Sequence, residues 1–280
     1  MYAFTLTKIE LDKLLNTLIM KKSIKKLTML SLISFTIFNI WGCKDKDTTP
    51  NNSGESDTAF VATITFPSLD SVVITADHYH TNNSNPVIVL CHQAGWSRGE
   101  YLDVAPIFND MGYNVVAIDQ RSGGVVNGIE NKTKNSAVTQ GKSYEFIDAK
   151  QDIMAAVDWA KSKYNKNVIL LGSSYSATLV LMVASERHDI EKVLAFSPGE
   201  YMPGVSVQAS ISGIEAPVFL TSSKQERIQV EKLYDVIYNS SYRQQFVPKW
   251  GDGQHGAKNL WPSMPDQEEY WNAMKIFLDY

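Results

Sequence analysis

Cysteine is scarce: only Cys43 and Cys91 occur among 280 residues. That excludes a disulfide-stapled small scaffold. The two stand at a processing-type signal and at the end of an apolar strand-like run, which argues against their pairing. Positive charge is not in excess either, with 26 Lys and Arg against 30 Asp and Glu. Nothing here is basic enough for a nucleic-acid partner. Metal-ligand spacings such as H-E-x-x-H or paired C-x-x-C are missing. There is no internal repeat and no sign of a second globular domain. What is present is 44% hydrophobic and 11% aromatic residues, enough for one large packed core.

The charge is unevenly placed. Residues 1–42 hold six of the lysines but only Glu10 and Asp12 among the acids, so the remainder is more acidic than the whole-chain net charge of -4. Met20 to Lys26 is a basic stretch, and the apolar run Leu27 to Ile40 follows it. That run is shorter than the roughly 20 residues of a spanning helix and suits a signal-peptide core. Ile40-Trp-Gly-Cys43 resembles a bacterial lipobox, although Trp41 stands where a small or aliphatic residue is usual. The resemblance implies a leader over 1–42, with Met20 the better start, and diacylation of Cys43. Lys44 to Asp47 resembles the export signal of surface lipoproteins of the Bacteroidetes. Residues 43–58 then form a flexible tether of small polar residues. The expected location is the bacterial envelope, as an outer-membrane lipoprotein on its periplasmic face or on the cell surface.

From 59 to 280 the pattern is that of one α/β domain. Ala59 to Pro67 and Ser71 to His80 alternate apolar and polar residues, as half-buried antiparallel strands do. Pro86 to Cys91 is a continuous apolar run, as a strand buried on both faces is, and Tyr113 to Ile118 reads as another buried strand. Helices are expected over Gly99 to Met111, Phe146 to Tyr164, Ser174 to Ser185, Gln225 to Ile237 and Gln267 to Leu278. Further strands fall at Asn167 to Gly172, Lys192 to Phe196, Pro217 to Thr221 and Arg243 to Val247. This order predicts a mostly parallel, doubly wound sheet with antiparallel N-terminal strands. Arg121 to Lys142 reads as too polar for an element and is expected to overhang the site as a loop.

Val168 to Ala177 carries the chemistry: strand, tight turn, helix, with Ser174 at the turn. A sharp turn lifts a serine oxygen above a sheet edge, and small residues two before and two after let strand and helix meet. Gly172 meets the first demand, and Ser176 replaces a glycine at the second. The stretch resembles the nucleophile elbow of the α/β-hydrolase superfamily. The matches from Ser71 onward are nearest the small, lidless, dienelactone-hydrolase-like branch, because too few residues separate Phe196 from Pro217 for a cap domain.

The resemblance implies the chain order nucleophile, acid, histidine. Of five histidines only His188 and His255 follow Ser174, and His255, in a Gly-rich loop after the last strand, fits the base. Glu226, nine residues after Pro217, takes the acid's place. Glu200 is its rival, with Asp252 or no acid as the remaining alternatives. Backbone N–H groups of Tyr175 and Ala94, with Gln93 the alternative to Ala94, would form the oxyanion hole. His92 in Leu90 to Gly95 and the Asp119-x-Arg121 motif are expected to be structural. Arg121, Glu200 and Tyr201 are cleft candidates. The implied activity is a serine hydrolase cleaving small or exposed carboxylic esters through an acyl-enzyme, without metal or cofactor. A peptidase or amidase on the same machinery, or a non-catalytic ligand-binding lipoprotein, are the alternatives.

Overall fold

The computed structural model describes residues 57–280. The expected leader, Cys43 and most of the expected tether lie outside them. Asp57 is the first described residue, and its carboxylate accepts Asn83 N–H at 2.8 Å and meets His80 Nε2 at 3.1 Å. Among the described residues no helix is long and apolar enough to cross a membrane.

Strand β1 (Phe60–Pro67) pairs antiparallel with β2 (Val73–His80). Then come β3 (Val87–Cys91), α1 (Ala105–Asp110) and β4 (Asn114–Ile118). The short strands β5 (Val125–Val126) and β6 (Ile129–Glu130) form a hairpin, and α2 (Lys132–Thr139) and α3 (Lys150–Tyr164) follow. The second half runs β7 (Val168–Ser173), α4 (Tyr175–Glu186), β8 (Ile190–Phe196), α5 (Val207–Ile211), β9 (Val218–Thr221), α6 (Arg227–Val236), β10 (Arg243–Phe246) and α7 (Gln267–Leu278). The eight long strands form one sheet in the order β1-β2-β4-β3-β7-β8-β9-β10. Every pairing from β4 to β10 is parallel, and β2 meets both β1 and β4 antiparallel.

Alternation within the central strands sorts the core into two layers. Val87, Val89 and Cys91 of β3, with Val168 and Leu170 of β7, face α3 and α4. Ile88, Leu90, Ile169 and Leu171 face α1 and α7 on the other side. Every residue of β3, β4 and β7 is buried, which is why they are apolar except at the ends, at Asn114 and Gly172-Ser173. Each such Val, Ile or Leu contributes about 1.5–3 kcal/mol of burial. The chain leaves β3 toward β4 on one side, and β7 lies on the other. Loops from the carboxyl ends of β3 and β7 therefore flank one crevice, the usual ligand position in such sheets.

Two expectations are corrected. The helix expected over Gly99 to Met111 is two pieces, a 3-10 turn Arg98–Tyr101 and α1. Pro106 stands in the first turn of α1, where its missing N–H is harmless, but a helix running through it would lose a bond and clash. Arg121 to Lys142 is not a plain loop: it holds β5, β6 and α2. Asn127-Gly128 makes the hairpin turn with both φ positive (50° and 75°), and the Asn131 side chain caps α2 by accepting Lys134 N–H at 2.8 Å. The α2 helix docks beside β2, where Thr133 Oγ1 and Ser136 Oγ accept the N–H groups of Thr75 and Val73 at 2.9 and 3.1 Å. The polar side chains that hid it as an element are the ones that bond the strand. Between β8 and β9 there is only α5, and no cap domain.

Candidate active site

The turn from β7 to α4 places Ser174 at φ 59° and ψ -124°, a left-handed backbone that a non-glycine residue adopts only at a cost of about 1–3 kcal/mol. Packing holds it there. A Cβ on Gly172 would come within 2.4 Å of the Ser176 carbonyl oxygen and 2.7 Å of the Ala177 Cα, so only glycine lets α4 sit this close to β7. Ser174 N–H donates to the Phe196 carbonyl at 2.8 Å, which ties the turn to β8. Ser176, at the position that departs from the elbow pattern, has its own bonds. Its hydroxyl donates to the His92 carbonyl at 2.6 Å and accepts from the Gln120 side-chain amide.

Ser174 Oγ lies 2.7 Å from His255 Nε2, and His255 Nδ1 lies 2.5 Å from Glu226 Oε1. Burial alone would raise the Glu226 carboxyl, but hydrogen bonds from His255, Ser197 and Ser223 hold it down at about 2. An ionised carboxylate only accepts, so Nδ1 carries the hydrogen and Nε2 is left to accept from Ser174. Glu226 Oε2 is filled by the hydroxyls of Ser197 (2.8 Å) and Ser223 (2.9 Å). Ser223-x-x-Glu226 is also a capping box opening the turn Lys224–Glu226, so one oxygen caps backbone while the other faces the imidazole. The histidine loop is pinned as well. Gly256 N–H donates to Ser197 Oγ at 2.9 Å, Ala257 N–H to Ser173 Oγ at 2.8 Å, and Gln254 N–H to Asn259 Oδ1 at 2.7 Å.

The two oxyanion candidates in the loop after β3 separate. Gln93 N–H donates to Glu100 Oε2 at 2.7 Å and is spent, so it is not a free donor. Ala94 N–H and Tyr175 N–H have no acceptor among the described residues. His92 is fully buried: its Nδ1 donates to the Gln93 carbonyl at 2.8 Å and its Nε2 accepts Gln120 N–H at 2.9 Å. Burial lowers its pKa, so it is a neutral brace for the loop. Gly124 lets that loop approach, since a Cβ there would lie 2.4 Å from the Gly95 carbonyl oxygen.

Other candidates fall away from the reacting atoms. Arg121 is 1% exposed, with its guanidinium held by Asp152 at 2.7 Å and Asp70 at 2.8 Å, so it does not reach a substrate in the cleft. Glu200 is exposed, and its carboxylate accepts Val207 N–H at 3.0 Å at the start of α5, away from His255. Asp252 is exposed and contributes its main-chain oxygen to Lys224 N–H. His188 is 88% exposed beside Glu215. Tyr201 is in the cleft. Its hydroxyl donates to the Ser197 carbonyl at 3.0 Å. Burial, with the Glu226 charge, pushes its phenol up to about 12, so it stays protonated. Tyr201 also helps line a mostly apolar cavity of about 200 Å³ with Phe146, Ile147, Met202 and Pro203. Phe146 stacks on Tyr175 at 4.6 Å. Sequence reasoning missed Ser197, Ser223 and Glu100. The Ser-x-x-Glu spacing could have given Ser223; isolated Ser197 and Glu100 carry no local pattern.

The model of the family described as serine aminopeptidase, S33, matches residues 82–246, which span β3 through β10. No curated protein sequence is significantly similar to the chain. Among solved structures, an esterase from Pyrococcus furiosus superposes with a TM-score of 0.62 at 20% identity, covering 84% of this chain and 96% of that one. A dienelactone hydrolase from Anabaena variabilis gives 0.60 at 15% identity, over 79% and 98%. An acylaminoacyl peptidase from Pyrococcus horikoshii gives 0.58 at 15%, over 80% of this chain and 42% of its own. At these identities the structures establish the fold. The chain belongs to the serine aminopeptidase S33 family of hydrolases and has the α/β-hydrolase fold.

Proposed function

We propose that the chain hydrolyses carboxylic esters by two-step acyl transfer through Ser174. The observation that carries this is the unbroken chain from Ser174 Oγ through the His255 ring to Glu226. Ser174 Oγ attacks the ester carbonyl as His255 Nε2 takes its proton. Glu226 stabilises the imidazolium through Nδ1–H. The N–H groups of Tyr175 and Ala94 hold the oxyanion. The tetrahedral intermediate collapses, the ester C–O bond breaks, and Nε2 returns the proton to the departing alcohol. Water then attacks the acyl-enzyme with Nε2 as base, and the carboxylic acid leaves as Ser174 regains its proton. The small apolar cavity beside Tyr201 suits a short apolar group, being smaller than cavities for drug-sized ligands.

A peptidase or amidase would use the same atoms, and the family's description keeps that reading. Paired p-nitrophenyl esters and p-nitroanilides with a common acyl group separate the two. Ester turnover that disappears in Ser174→Ala, with anilide turnover at least a hundredfold slower, is the expected result. Faster anilide turnover makes the chain a peptidase. Anchoring at the bacterial envelope through diacylated Cys43 belongs to the same proposal and is supported by the lipobox-like Ile40 to Cys43. Metabolic labelling with a clickable fatty acid, lost in Cys43→Ser, tests it; an unlabelled parent contradicts it.

A further inference from the structure

Glu100, in the turn Arg98–Tyr101, is an acid that the acyl-transfer steps do not use, and it is 1% exposed. Its Oε2 accepts Gln93 N–H at 2.7 Å, and its Oε1 accepts the Ser173 hydroxyl at 2.7 Å. Ser173 Oγ in turn accepts Ala257 N–H at 2.8 Å. Gln93 immediately precedes Ala94, Ser173 precedes Ser174, and Ala257 stands two residues after His255. The oxyanion loop, the elbow and the histidine loop are thus joined on one carboxylate.

We propose that Glu100 is a positioning residue for hydrolysis at Ser174, its ionised carboxylate holding these three loops in their reacting register. This rests on the acyl-transfer reading above. A carboxylate only accepts, and donors already occupy both oxygens. A proton on Oε2 opposes the Gln93 N–H and loosens the peptide that aims Ala94. A proton on Oε1 turns the Ser173 oxygen into an acceptor for Glu100 beside Ala257 N–H and leaves the Ser173 hydrogen without its acceptor. Either way a buried donor loses its acceptor, at a cost of the whole desolvation of that group.

The surroundings place this change in an accessible range. Burial is the largest influence and raises the carboxyl to about 7, against the bonds from Gln93 and Ser173 and the charge of Lys258. Lys258 lies in the turn after His255. Cys91 and Tyr101 also face Glu100, and burial pushes both of their pKa values up, so they remain neutral. Arg98 on the same turn is paired with Asp77 and Asp119. The ionised, productive form therefore prevails above neutral pH, and the protonated form below it.

Glu100→Gln tests this, because it keeps the shape and turns one acceptor into a donor. At pH 8 its melting temperature is expected to stay close to the parent's, since removal of a buried charge offsets the lost acceptor. Its kcat for a short-chain p-nitrophenyl ester is expected to fall about tenfold, with KM within about twofold. On the acid side its kcat falls with one ionisation, that of the base His255, where the parent and Glu100→Asp, each with a second acid in place, fall with two. An active parent alongside a Gln variant with unchanged kcat and unchanged profile overturns the proposal alone. A parent silent towards esters and towards a fluorophosphonate overturns the acyl-transfer reading, and the proposal with it.

Discussion

At the scale of single residues, Glu226 does two jobs with two oxygens. Oε1 meets His255, while Oε2 closes a capping box with Ser223 and accepts Ser197. Both a helix-start carboxylate and a histidine partner are legible in Ser223 to Glu226, and the structure realises both. Glu226→Gln keeps the size but loses the charge and reverses one bond. Its kcat is expected to fall on the order of 10³–10⁴-fold in ester assays, with KM little changed. The same residue sets an acid limit. Its folded pKa is lowered to about 2 from an ordinary 4.5, so the stability it contributes is fully present above 4.5 and is lost as pH falls from there towards 2. Chemical denaturation across that window should show a steeper loss for the parent than for Glu226→Gln. Parallel curves would contradict the assignment.

At the scale of elements, the site was legible where chemistry is local. The elbow was readable because Gly172-x-Ser174 compresses strand, turn and helix into a few residues. Central strands were readable because burial on both faces confines polar residues to their ends, at Asn114 and Ser173. The helix α2 was not, because its buried side chains are Thr133 and Ala137 and its docking is by hydroxyls rather than by an apolar stripe. Glu100 and Ser197 were not, because the partners that tie them to the site, Ser173 and Glu226, lie 73 and 29 residues away in the chain. Ser176 shows how a departure from a family pattern is compensated: its hydroxyl bridges the His92 carbonyl and Gln120. Ser176→Gly, which restores the commoner residue, should therefore destabilise the domain by about 1–2 kcal/mol in denaturant titration. A more stable glycine variant would show that these bonds contribute nothing.

At the scale of the whole molecule, two buried arginines tie the two halves of the sheet's approach together. Arg98 joins Asp77 of β2 to Asp119 after β4, and Arg121 joins Asp70 before β2 to Asp152 of α3. These pairs brace the loops that carry the site without touching the reacting atoms. Removing Asp152 leaves the buried Arg121 charge with Asp70 as its remaining carboxylate partner. Asp152→Asn is expected to cost about 1.5–3 kcal/mol of stability, while KM of the folded fraction changes little. A rise in KM confined to anionic esters would instead place Arg121 in substrate recognition. The 200 Å³ cavity lies where Phe146, leading into α3, meets Tyr201 and Met202 after β8, so its shape belongs to the assembly of two connections rather than to a cap.

The central claim is that Ser174 is an activated nucleophile. Covalent labelling of purified residues 44–280 with a fluorophosphonate, followed by peptide mapping, tests it most directly. The account predicts an adduct on Ser174 that is absent in Ser174→Ala and lost or greatly slowed in His255→Ala. A folded protein that takes up no probe, or takes it up at another residue, would contradict it.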